Sequence, residues 1–128
     1  MTALRRPPIT WASAMSTPYD ARCPVARTLE IIGERWTILI LRDLLLGGPC
    51  RFQDFERSLA GISPNTLSAR LKRLEEHGIV ERRFYEQHPP RAEYVLTAKG
   101  RQLGPVLQTL LEWGSKHTVA PAPANSAR

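Results

Sequence analysis

Between residues 63 and 91 the chain sets short polar side chains beside cations, at spacings suited to hydrogen bonding with a polyanion. Ser63 is a favourable helix N-cap, Pro64 fits the first helical position and Gly78 marks a stop, so a helix is predicted between them. Leu67, Leu71 and Leu74 share one face of that helix. A step of roughly 100° per residue turns Asn65, Ser68, Ala69 and Lys72 to the opposite side, flanked by Thr66 and Arg73. Small side chains on that side let the helix backbone approach base edges in a major groove. Asn65 and Lys72 can read those edges, and Ser68 and Thr66 can reach bases or phosphates. Arg70 and Arg73 suit either phosphates or pairing within the protein. Farther along, Arg82, Arg83 and Arg91 lie around a Pro89-Pro90 turn, the pattern of a basic hairpin that reaches a minor groove or the adjoining backbone. The candidate contacts to double-stranded DNA are therefore Ser63, Asn65, Thr66, Ser68, Ala69, Arg70, Lys72, Arg73, Arg82 and Arg91.

Other chemistries find less support. Two cysteines, Cys23 and Cys50, are too few for a disulfide framework and lack the paired spacing of a zinc site. His77, His88 and His117 are scattered, with no carboxylate or cysteine at ligand spacing, so no metal is expected. With no nucleophile motif, glycine-rich phosphate loop or paired carboxylates, neither a cofactor nor an enzyme activity is expected. Trp36, Phe52, Phe55 and Trp113 could line a ligand pocket, although aromatic residues at such positions more often belong to the core.

The 128 residues carry 18 Lys and Arg against 12 Asp and Glu, a formal charge of +6, which favours nucleic acid or an anionic membrane surface as partner. Arg42 and Asp43 interrupt the longest apolar run, well short of the roughly twenty residues of a membrane span. Arg5 and Arg6 are followed by Pro7 and Pro8 where a secretory leader would place its apolar stretch, so a cytoplasmic protein without a membrane partner is expected.

The elements that must position these residues follow from periodicity. Residues 1–22, rich in Pro, Ser, Thr and Ala, read as a flexible arm, and residues 118–128 as a disordered tail. Within 23–117, Val25, Leu29 and Ile32 define a first short helix closed by Gly33. A second, apolar on most sides, runs from Glu34 or Arg35 to Leu46 and should form the centre of the core. Arg51 and Phe52 suggest a very short strand, and Phe55 and Leu59 a third helix ending near Gly61. After the polar helix, Ile79 to Gln87 and Ala92 to Leu96 form a hairpin. Thr97 then caps a final helix, kinked at Gly104 and Pro105, with a stripe of Leu103, Val106, Leu107, Leu110, Leu111 and Trp113. The fold class is mainly α with a small β hairpin, in the element order of a winged helix-turn-helix. The alternative use of that fold is a protein-interaction module without sequence-specific DNA binding, which would favour exposed aromatics over Asn65, Ser68, Lys72 and Arg91.

From Cys23 to Trp113 the chain also resembles the HxlR type of winged helix-turn-helix transcriptional regulators, relatives of the MarR group. The matching stretches include Cys23-Pro24-Val25, Ile32-Gly33-Glu34-Arg35-Trp36-Thr37, Leu41-Arg42-Asp43-Leu44, Arg51-Phe52 and Gly61-Ile62-Ser63. They continue through Leu67 to Leu71, Gly78 to Arg82, Pro89 to Tyr94, Leu96-Thr97 and Trp113-Gly114. The resemblance implies a homodimer built through the first and last helices. It also implies two recognition helices set for consecutive major grooves, a near-palindromic operator, and repression more often than activation. In some members of that family the cysteine matching Cys23 senses oxidants or electrophiles, so an oxidant or small-molecule effector is implied, with Cys23 as the redox candidate. A thiolate at a helix N-terminus beside Arg22 would be the reactive form.

Overall fold

The computed structural model describes residues 22–122. Most of the expected arm and the last residues of the expected tail lie outside them. The elements are α1 (Pro24–Ile32), α2 (Arg35–Gly47), α3 (Phe52–Ser58), α4 (Pro64–Glu76), β1 (Val80–Gln87), β2 (Pro90–Leu96), α5 (Ala98–Arg101) and α6 (Gly104–His117). This is a helix-turn-helix, α3 to α4, followed by a two-stranded wing. No helix among the described residues is long and apolar enough to cross a membrane.

The apolar α2 lies at the centre as its composition predicts, packing against α3, α4, α6 and β2. Ile40, Leu41 and Leu44 of α2 are buried with Phe55 of α3, Leu67, Leu71 and Leu74 of α4, and Val80 of β1. Each such side chain contributes about 1.5–3 kcal/mol by leaving water. Among the candidate pocket aromatics, Phe55 is wholly buried, Trp36 and Phe52 pack half-buried on the core, and Trp113 is exposed. They do not converge on a ligand pocket.

Three local expectations are corrected. The strand expected at Arg51-Phe52 is instead a single bridge at Cys50, whose backbone N–H and C=O both bond to Tyr94. The Asp54 carboxylate accepts the Arg51 amide at 2.8 Å, which draws Phe52 into the first turn of α3. That helix stops at Ser58 rather than near Gly61. Gly61, at φ +95, sits in the turn that leads to α4. The expected kinked last helix is two helices, because Pro105 has no N–H to offer the preceding turn and instead opens α6. Thr97 caps only α5, accepting the Gly100 amide at 3.0 Å.

The wing is antiparallel, with Val80 opposite Leu96 and Gln87 opposite Pro90, so Pro90 belongs to β2 and the turn is His88-Pro89. Tyr85 is an extra residue in β1, between Phe84 opposite Ala92 and Glu86 opposite Arg91. That bulge twists the outer half of the hairpin.

The first helix is only partly buried. Ala26 and Ile32 face inward, whereas Val25 and Leu29 of the predicted apolar face are exposed. On α6, Leu103 just before the helix and Leu107 within it reach the core, and Val106, Leu110, Leu111 and Trp113 face outward.

Gly100 lies where the wing meets α5, and a Cβ there would stand 2.2 Å from the Ile79 carbonyl oxygen, whereas one on Gly47 meets nothing within 4 Å. Gly100→Ala should therefore cost about 1–3 kcal/mol in urea unfolding, the range for overpacking, and Gly47→Ala about 0.5 kcal/mol or less in either direction.

Candidate nucleic-acid interface

Ser63 and Thr66 open α4 by bonding to each other. The Ser63 hydroxyl accepts the Thr66 amide at 3.1 Å and donates to the Thr66 hydroxyl at 2.9 Å. Their first task is thus to start the helix. With Leu67, Leu71 and Leu74 sealed in the core, Asn65, Ser68, Ala69, Lys72 and Arg73 are all exposed on the other side. The Lys72 ammonium makes no ion pair among the described residues, so its charge is available to a ligand.

Arg70 and Arg73, for which phosphate contact and internal pairing were both open, are bonded within the protein. Arg70 Nε donates to Glu34 Oε1 at 2.9 Å, and Arg73 Nη2 donates to the Glu30 carbonyl at 3.0 Å. Glu34 is the N-cap of α2, and the same Oε1 accepts the Thr37 amide and hydroxyl. Burial alone would raise the Glu34 carboxyl, but the Thr37 and Trp36 amides and the Arg70 guanidinium together hold it below the usual carboxylate value. Sequence reasoning treated Glu34 only as a helix boundary. Its signal was an acidic residue immediately before an apolar helix, where a carboxylate serves as a cap. Through these two arginines α4 is tied to the junction of α1 and α2.

The wing carries cations in two conditions. Arg91 Nε pairs with Glu86 Oε1 at 2.9 Å and Arg83 with Glu93 at 3.0 Å, so both outer arginines face carboxylates. Arg82 instead lies over the Phe84 ring, its guanidinium carbon 5.5 Å from the ring centre. Phe84 and Tyr85 are exposed aromatic residues that the sequence reading did not single out. Period-2 alternation hid Tyr85, because the bulge breaks the alternation at that residue.

The recognition helix and the wing converge with α3 on one module; Cys50 lies at its inner edge, bridged to Tyr94 of β2, and Cys23 lies apart on α1. Cys23 is 4% exposed at the start of α1, and Cys50 is buried beside β2, both free. Burial, then the nearby Asp43 and Asp54 carboxylates, pushes the Cys50 thiol up to about 11. Its Sγ lies 3.4 Å from the Gly48 carbonyl.

This arrangement recurs in known proteins. Residues 31–121 match the model of the HxlR-like helix-turn-helix family. The HTH-type transcriptional regulator BH0655 of Halalkalibacterium halodurans is 43% identical over 94 residues, 73% of this chain and 83% of that protein. The redox regulator HypR in its oxidised form superposes with a TM-score of 0.70 at 38% identity, covering 77% of this chain and all of that one. The reduced transcriptional regulator YodB of Bacillus subtilis gives 0.63 at 35% identity, over 74% of this chain and 93% of its own. The family match, the helix-turn-helix with its wing and the uncovered polar face of α4 give one answer: the chain belongs to the HxlR-like helix-turn-helix family and is a DNA-binding transcriptional regulator.

Proposed function

We propose that the protein acts in the cytoplasm as a homodimeric repressor that reads a near-palindromic operator. In this reading α4 enters the major groove and the wing lies on the flanking backbone. The observation that carries it is the division of α4 into a sealed leucine face and an uncovered face bearing Asn65, Ser68 and Lys72. Ala69 leaves room for the helix to approach the bases, and Arg82, which has no carboxylate partner among the described residues, supplies positive charge on the wing, with Arg91 beside Glu86 at its tip. A protein-interaction module is disfavoured because the α4 face offers polar and charged groups with no aromatic anchor.

Two copies are supported by the apolar surface that one protomer leaves in water. Val25 and Leu29 of α1 and Val106, Leu110, Leu111 and Trp113 of α6 are all exposed, Trp113 to 61%. These are the helices through which the family resemblance implies a dimer. Half-site centres separated by about ten base pairs, or a multiple of that, follow from such symmetry.

A thiol response is the second part of the proposal, supported by the likeness to the redox regulator HypR. Burial and the nearby carboxylates that push the Cys50 thiol up to about 11 make it a poor nucleophile, and Cys23 is the cysteine that the family resemblance implies.

Three outcomes check this reading. In fluorescence anisotropy against the DNA upstream of its own gene, Lys72→Ala should lose about 1–3 kcal/mol of specific binding and much less on unrelated DNA. Equal losses on both would remove Lys72 from base reading. Leu110→Glu should sediment as a monomer with unchanged circular dichroism and bind the same DNA weakly; a dimer of wild-type stability would place the interface elsewhere. Diamide should alter the DNA affinity of the wild type and leave Cys23→Ser unaffected, and an identical response in both would exclude the Cys23 switch.

A further inference from the structure

Arg51 was read as part of a strand and is in fact the N-cap residue of α3, exposed, with its guanidinium 5.4 Å from the centre of the Tyr85 ring. It makes no ion pair among the described residues. The neighbouring carboxylate, Asp54, is occupied by the Arg51 amide and by the Arg57 guanidinium. Tyr85 is the bulge residue of β1, and its ring is 43% exposed. A contact is thereby made across the seam between the helix-turn-helix and the wing.

No carboxylate pairs with the Arg51 guanidinium among the described residues, and its N–H groups are the kind that bind phosphate oxygens. The outer wing arginines differ, because the N–H edge of Arg91 already meets Glu86 and that of Arg83 meets Glu93. A duplex with one groove on α4 and its flanking backbone on the wing has to cross the seam where Arg51 stands.

We propose that Arg51 is a contact to the DNA phosphate backbone, and that Tyr85 is a positioning residue that holds its guanidinium at the seam between α3 and the wing. The assignment rests on the DNA-binding reading and extends it to a residue outside the recognition helix and the hairpin. The ring orders a long side chain before DNA arrives, which lowers the entropic cost of the contact. The contact carries no base information, so it should act equally on every sequence.

The test is the salt dependence of binding to a duplex of unrelated mixed sequence, with thermal melting as the folding control. Arg51→Ala should flatten the plot of log affinity against log salt by about 0.9 for each Arg51 engaged, with a melting temperature lowered by only a few degrees, because the backbone amide still makes the bond to Asp54 and only the ring contact is lost. Tyr85→Phe should match the wild type, and Tyr85→Ala should weaken binding roughly two- to fivefold. Arg51→Lys should keep the slope at reduced affinity. A wild type that binds with the usual steep slope and an Arg51→Ala variant indistinguishable from it would overturn the Arg51 assignment alone. A wild type without salt-dependent binding would overturn the DNA reading and this assignment together.

Discussion

Burial of Leu67, Leu71 and Leu74 against the core centred on α2 is the constraint on which the remaining functional geometry depends. Those side chains are at most 1% exposed, so α4 has a single rotational setting in which they all leave water. Because each residue advances roughly 100° around a helix, fixing the leucines also fixes the outward direction of Asn65, Ser68 and Lys72. A rotation by one residue would expose a leucine and bury a lysine, at a cost far above that of any surface contact. The reading face is thus specified by the core, and its polar residues need do nothing to orient themselves.

The polar bonds around α4 refine that setting and connect it. Glu34 starts α2 and takes Arg70 from α4 with the same carboxylate oxygen, while Arg73 reaches the last turn of α1. Both side chains of the Glu34–Arg70 pair are over a third exposed, so the pair contributes about 1 kcal/mol or less. Its consequence is positional: the recognition helix is held at the junction of α1 and α2, beside the helix that begins at Cys23. A displacement of α1 therefore has a short route to the DNA-facing surface.

Charge is distributed unevenly over that surface. The outer wing arginines are matched by Glu86 and Glu93, whereas Lys72 on α4 and Arg51 and Arg82 near the wing have no carboxylate partner among the described residues. Aromatic rings take the place of carboxylates at Arg51 and Arg82, ordering the cations without cancelling them. Lys72, Arg51 and Arg82 thus leave uncompensated positive charge on the recognition helix and beside the wing.

The local patterns in the chain were sufficient for the helix-turn-helix, the wing and the polar face of α4. Caps, glycine stops and period-3.6 leucines act over a few residues and are legible without tertiary contacts. The same locality explains what was misread. Arg51 stands at a helix cap rather than in a strand, and the bridge before it joins Cys50 to Tyr94, 44 positions from Cys50. Whether Arg70 and Arg73 faced phosphates or the protein depended on Glu34 and Glu30, which lie on other elements. The sequence by itself determined which residues could form helices and which side of each was apolar, because those preferences are set by neighbours three and four positions away. Only the tertiary structure decided which cations are neutralised, which are held on aromatic rings, and which apolar faces of α1 and α6 remain uncovered. Those outcomes arise from contacts between elements distant in the chain.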